Sequence, residues 1–260
     1  MIREHISWSS VKVQQLLILV ACALLWWVLP PIIGISPIIL PKLSTVLTTG
    51  ASDAANENLL RHAIVTLREI GVAYLIATVA GVLSGVVVGA SVTFRRIVLP
   101  YLNILFAVPV ITLIPLFLIT LGIGERSKIA FGAIYGLFPI LYNTVLGMSK
   151  VRPVHVELQK AFGLSLPKRY YRVILPTAAR DILNGMQISL SITIVAVISA
   201  EMFGSLQGLG YLIQKYSQLL NGPAMWFIII LTLVFSFLLL RILSAIAKLI
   251  NVDLSSATYM

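Results

Sequence analysis

The chain has 260 residues, 59% of them hydrophobic and only 11% charged, far below the roughly one quarter charged that is usual in soluble domains. That composition excludes an ordinary soluble globular protein and points to an integral membrane protein. The formal net charge of +10 could suit a nucleic-acid binder, but the basic residues are spread through short loops between apolar runs, the pattern that sets orientation in a membrane, so no nucleic-acid partner is expected.

In chain order, the first span is expected at 16–33. It follows Arg3 and Lys12 and contains the one cysteine, Cys22, read as a small apolar residue with no disulfide or metal role. It ends in Trp26, Trp27, Pro30 and Pro31, an aromatic interface rather than a signal-peptide cleavage site, so it reads as a retained span with a cytoplasmic amino terminus. The mixed stretch 34–61 suggests a short amphipathic helix after Leu40 and Pro41, at the outer surface. The second span is expected at 70–91, with Arg68 and Glu69 at its entrance reaching out to water. Within it Gly81, Gly85 and Gly89 recur every fourth residue, a ridge on which another helix, of this chain or of a second copy, can pack closely.

Arg95 and Arg96 make a basic inner turn. The third span, 97–121, carries Pro100, Pro109 and Pro115. Each proline frees a carbonyl that neighbours must satisfy, which implies a bent helix buried in protein or facing water, and makes Pro109 and Pro115 candidate pathway residues. Residues 122–128 read as a short outer turn without the form of a nucleotide-binding loop. The fourth span, 129–148, brings Asn143 to the bundle interior. In the fifth, 181–202, Asn184, Gln187 and Ser191 form a polar stripe at i, i+3 and i+7. Polar groups in a span bond a neighbouring helix or line a wet cavity; Gln187, Ser191 and, near the outer end, Glu201 complete the candidate pathway set. Residues 204–222 read as an outer loop with a short helix, a surface for an external partner, and the sixth span is expected at 223–243. The fold class is an all-α integral membrane protein, one transmembrane domain over 1–260, with both termini inside.

The loop 149–180 is polar and basic. Pro153 can open a helix and Gly163 can end it. Between them Val154, Leu158, Ala161 and Phe162 share one short apolar face. Pro167 opens a second helix with Lys168, Arg169 and Arg172 on one side, expected to end at Pro176. The positive-inside rule places this loop in the cytoplasm without assuming it. A small amphipathic helix there can lie on lipid, pack on its own bundle, or offer an apolar knob to a soluble partner.

Glu157, Gly163, Val173, Leu175 and Pro176 resemble the cytoplasmic loop motif of ATP-binding-cassette importer permeases, EAA, three residues, G, nine residues, I-x-LP. The spacing fits, while Leu158 and Gln159 replace the alanines and Val173 the isoleucine. PVITLIPLFLITLGIGERSKI from Pro109, FPILYNTVLGM from Phe138 and AEMFGSLQGLGYLI from Ala200 resemble permeases of the nitrate, sulfonate, taurine and bicarbonate importers, and the likeness runs from about His62 to about Leu240. The resemblance implies an importer-type permease fold whose loop helix couples to an ATPase through Val154, Glu157, Leu158, Ala161, Phe162 and Gly163. It also implies an extracytoplasmic substrate-binding protein and a location in the plasma (bacterial inner) membrane.

The function expected is the permease subunit of an ATP-driven importer of a small anionic solute, moved by alternating access. The chain has no phosphate-binding loop, so ATP and Mg belong to a partner chain and no cofactor or metal is expected on this one. Six spans make a thin wall, so a homodimer is expected. The histidines, His5, His62 and His155, lie far apart, and no nucleophile and base share a recognisable spacing, so no catalytic residues are assigned. A passive channel or energy-independent carrier is the alternative, although neither has use for a coupling loop. A DNA-reading helix-turn-helix in 150–180 is opposed by its short tether between spans.

Overall fold

The computed structural model describes residues 8–107, 109–150, 165, 168 and 174–257, and every regular element among them is helical. The longer helices are α1 (Trp8–Ile33), α2 (Leu59–Gly89), α3 (Val92–Ala107), α4 (Ile114–Leu121), α5 (Glu125–Ser149), α6 (Leu175–Gly204), α7 (Leu209–Gln218) and α8 (Gly222–Ala257). Five of them, α1, α2, α5, α6 and α8, are long and apolar enough to cross a membrane.

The chain divides into two compact units. The first comprises Met1–Leu59 and Ile213–Ile230. In it Trp26 and Trp226 meet edge to face with ring centroids 4.7 Å apart. Each gives its indole N–H to a carbonyl of the connecting stretch, Trp26 to Pro41 at 3.0 Å and Trp226 to Ile39 at 2.9 Å, so their polar tips hold that stretch against the rings. The short amphipathic helix expected after Pro41 is Leu43–Thr45, running through the π-helical turn Val46–Gly50 into Ala51–Ala55, with Val46 buried. Asp53 ties this turn down: its carboxylate accepts from Asn221 at 2.8 Å and its carbonyl from the Tyr216 hydroxyl at 3.0 Å.

The second unit comprises Leu60–Leu212 and Leu231–Met260. Its centre is a seam of small residues. In lipid no hydrophobic push brings helices together, so association depends on close backbone approach and dense contact. The buried stripe of α2 runs His62, Thr66, Glu69, Ala73, Ala77, Gly81, Gly85, and that of α5 runs Lys128, Gly132, Gly136, Ile140, Thr144. A Cβ on Gly132 would lie 3.1 Å from Ala73, on Gly136 3.0 Å from Ala77, on Gly81 2.8 Å from Ile140, on Gly85 2.5 Å from Thr144 and on Gly89 2.6 Å from Met148. The residue numbers of these pairs rise together, so α2 and α5 run parallel. Against α6 the numbers run oppositely: Gly132 meets Val197, Gly136 meets Thr193, and Gly147 meets Ala178 and Asp181, so α5 and α6 are antiparallel. Ile70, Leu190, Ile194 and Val197 fill the core beside the seam, and Phe235, Leu239 and Leu243 of α8 pack on it.

Several expectations are corrected. The span expected at 97–121 is not one helix: α3 ends at Ala107, a 3-10 turn occupies Val110–Leu113, and α4 follows. Pro109 stands at the break in an extended conformation (φ −62°, ψ 105°), because it lacks an N–H and disfavours helix in the residue before it. Pro176, expected to end a helix, lies in the first turn of α6, where a missing N–H costs nothing, while the helix expected from Pro167 falls largely outside the described residues. Glu69 does not reach water. It lies on the buried stripe of α2, 1% exposed, while only its neighbour Arg68 points outward, to Glu125 at 3.1 Å.

Candidate functional site

The break at Pro109 opens a cavity of about 450 Å3 in the second unit. Pro109 and Ile111 come from the break, Phe131, Tyr135 and Phe138 from one face of α5, and Ser191, Val195 and Ser199 from one face of α6. The α5 and α6 residues recur three to four apart, which puts each set on one helix side. Phe131 is fully buried and stands edge-on to Phe117 (centroids 5.3 Å) and tilted against Tyr135 (4.9 Å), which stiffens the aromatic wall. The polar groups on the wall are the Tyr135, Ser191 and Ser199 hydroxyls, and among the described residues no charged side chain lines it.

At the Glu201 end of α6 lies a buried ionic cluster. Glu69 and Lys128 form an ion pair, 1% and 3% exposed, and Glu201 beside them is fully buried. Lys128 also donates to the Ser205 hydroxyl at 2.8 Å. The Thr66 hydroxyl donates to Glu201 Oε1 at 2.7 Å and accepts the Leu209 N–H at 2.8 Å, while the Gly210 N–H donates to Glu201 Oε2 at 2.7 Å. The Gly208 N–H donates to His62 Nδ1 at 3.0 Å, so that ring nitrogen carries no proton. Gly208 has φ +112°, and a Cβ there would collide with the Glu201 carboxylate. The loop 205–210 is thus wound around one carboxylate, whose burial the Gly210 N–H and the Thr66 hydroxyl make tolerable. Two carboxyl groups and one ammonium join α2, α5, α6 and the loop at a single point.

The candidate pathway residues are divided by this geometry. Pro109 and Ser191 share the cavity. Pro115 lies in the first turn of α4 and outside that lining. Asn143 donates to the Pro139 carbonyl of its own helix at 2.8 Å. Gln187 lines a different, polar cavity with Arg180 and Arg241. Glu201 belongs to the ionic cluster. Gly81, Gly85 and Gly89 pack on α5 of the same chain. Val154, Glu157, Leu158, Ala161, Phe162 and Gly163 lie outside the described residues. From the sequence, Lys128, Thr66 and His62 draw no site role and Glu69 is expected at the water interface, although their numbers continue the periodicity of the small-residue stripes. Among the described residues no group of three His, Cys, Asp or Glu side chains is placed to hold a metal ion.

Fold and site together define a multi-pass helical membrane protein with a cavity in its wall. Residues 77–252 match the family of binding-protein-dependent transport system inner membrane components, and the chain belongs to that family. It is accordingly a permease of the plasma membrane, the inner membrane in bacteria. It is 30% identical over 200 residues to the taurine transport system permease protein TauC of Escherichia coli (strain K12), covering 75% of this chain and 73% of the relative. To the putative aliphatic sulfonates transport permease protein SsuC of Bacillus subtilis (strain 168) it is 28% identical over 194 residues, covering 75% and 70%. The fold is similar to that of a chain in an inward-facing crystal form of the MetNI methionine ABC transporter, with a TM-score of 0.63 and 20% identity over 73% of this chain and 94% of the other.

Proposed function

We infer that this chain is the membrane-spanning subunit of an ATP-driven importer for a small anionic solute, a transporter rather than an enzyme, working by alternating access as one transmembrane domain. The observation that carries the reading is the family match over 77–252, whose description names a binding-protein-dependent transport system. Taurine and aliphatic sulfonates, named for two relatives, make an organic sulfonate the first solute to test.

Six crossings with both termini in the cytoplasm fit the parallel register of α2 and α5. Two parallel neighbours in sequence need a return between them, and the broken α3 and α4 are the segment available for it. Charge favours the same orientation, with Arg95, Arg96 and the basic 149–180 loop inside. The coupling helix around Glu157 and Phe162 then seats in a separate ATPase subunit, which supplies ATP and Mg chemistry, and an external binding protein delivers the solute. A second identical copy closes the path, with the Phe131, Tyr135 and Ser191 cavity on its wall.

The test is gentle detergent purification of the tagged chain from its native membrane, mass spectrometry of what accompanies it, and ATP-driven uptake of sulfonates by vesicles rebuilt from those components. A stoichiometric ATPase and ATP-dependent uptake are expected. A homo-oligomer without ATPase, passing solute without ATP, would replace this reading with a channel or energy-independent carrier.

A further inference from the structure

At the end of α6 opposite Glu201, a second cavity of about 350 Å3 has a different chemistry. Arg180 of α6 and Arg241 and Lys248 of α8 converge on it, joined by the neutral groups of Asn184, Gln187 and Ser244, and among the described residues no carboxylate lines it. Cations gathered in one concavity repel one another unless an anion lies among them. The contrast with Lys150, which stands at the same end of α5 and pairs with Asp181 at 2.6 Å, is informative. Among the described residues, none of Arg180, Arg241 and Lys248 has a carboxylate partner. The Arg241 guanidinium is steadied over the Phe237 ring, 4.9 Å from its centroid, which orients its donors before any ligand arrives.

Depth gives a second argument. At about 1.5 Å per residue, Arg180 lies about 30 Å along α6 from Glu201, close to the thickness of the hydrocarbon core. Taken with the orientation proposed above, this puts the cavity at the level of lipid headgroups on the basic side of the molecule. Its size suits a small oxyanion with attached groups, and guanidinium forks match tetrahedral oxyanions.

We propose that this cavity binds a phosphate or sulfonate oxyanion, carried either by a membrane lipid headgroup or by a free solute. Its placement at headgroup level rests on the proposed orientation and a free sulfonate source on the proposed solute, whereas the binding test itself requires neither ATPase nor uptake.

The test uses the full chain in nanodiscs of zwitterionic lipid, with no partner subunit. In one arm phosphatidylglycerol is introduced and retained lipid is counted by native mass spectrometry. In the other, inorganic phosphate or methanesulfonate is added at constant ionic strength and the thermal midpoint is followed against a chloride control. Retention in the first arm identifies a lipid source, and stabilisation in the second a free oxyanion. In either case Arg180→Gln, Arg241→Gln and Lys248→Gln should each weaken binding about fivefold, and the triple variant about a hundredfold, as expected for one basic contact apiece. Arg95→Gln with Arg96→Gln, which removes charge elsewhere, should leave it unchanged. If the triple variant does not purify as a single species, the single substitutions carry the measurement. The assignment is overturned if neither arm exceeds its control, or if the Arg95 and Arg96 substitutions weaken binding as much as those in the cavity.

Discussion

Lys128 stands for what single residues do in this protein. Its ammonium is buried beside Glu69, Glu201 and Ser205, so that removing it strands the Glu69 carboxylate without its counter-ion. Lys128→Met is expected to cost about 3–5 kcal/mol, and Glu69→Met added to it should recover much of that loss, because an apolar pair replaces an ion pair at little net cost. Denaturant unfolding in detergent checks both; equal midpoints for single and double variants would argue against a direct pair. Glu201→Leu should cost about 2–3 kcal/mol by stranding the Thr66 hydroxyl and the Gly210 N–H. The cluster was hard to read in the sequence because its members lie far apart in the chain. An isolated charge at the edge of an apolar run reads as an interface residue. Only its place on the same helical stripe as Ala73 and Gly81, or as Gly132 and Gly136, marks it as buried.

At the level of elements, the seam between α2 and α5 decides what can change. Gly85→Leu should cost about 1–3 kcal/mol, since its Cβ alone would sit 2.5 Å from Thr144. Gly71→Ala, on the same helix with nothing within 4 Å, should be neutral or stabilising by up to about 1 kcal/mol. Thermal midpoints of the two variants compare them directly, and a similar loss in both would mean that helix propensity rather than packing governs the seam. The glycine ridge itself was legible from its four-residue spacing, but its partner was not, because spacing describes one surface and not the surface it meets. The third span shows the same limit: three prolines announce a bend, but that Pro109 is the one at which the helix breaks, and that the break lies beside Phe131, Tyr135 and Ser191, is settled by the neighbouring helices.

At the level of the whole molecule, transport and stability should separate. Val195→Trp, filling the cavity beside Ser191, is expected to abolish uptake while leaving the unfolding midpoint unchanged, measured in rebuilt vesicles and in detergent. Phe162→Asp or Gly163→Asp should uncouple transport, losing ATP-driven uptake with assembly of the permease intact by size exclusion; normal uptake in either variant would remove the coupling role from that loop.

What the sequence by itself determined is the membrane character, the location of most helices, the basic loop and the family, because hydropathy, charge placement and motif spacing are properties of consecutive residues. What only the tertiary structure decided is the parallel register of α2 and α5, the ionic cluster of Glu69, Lys128 and Glu201, and the sharing of a cavity by Pro109 and Ser191. Those depend on which helix faces meet, and lipid, by giving no hydrophobic push between helices, leaves that choice to close fit among residues far apart in the chain.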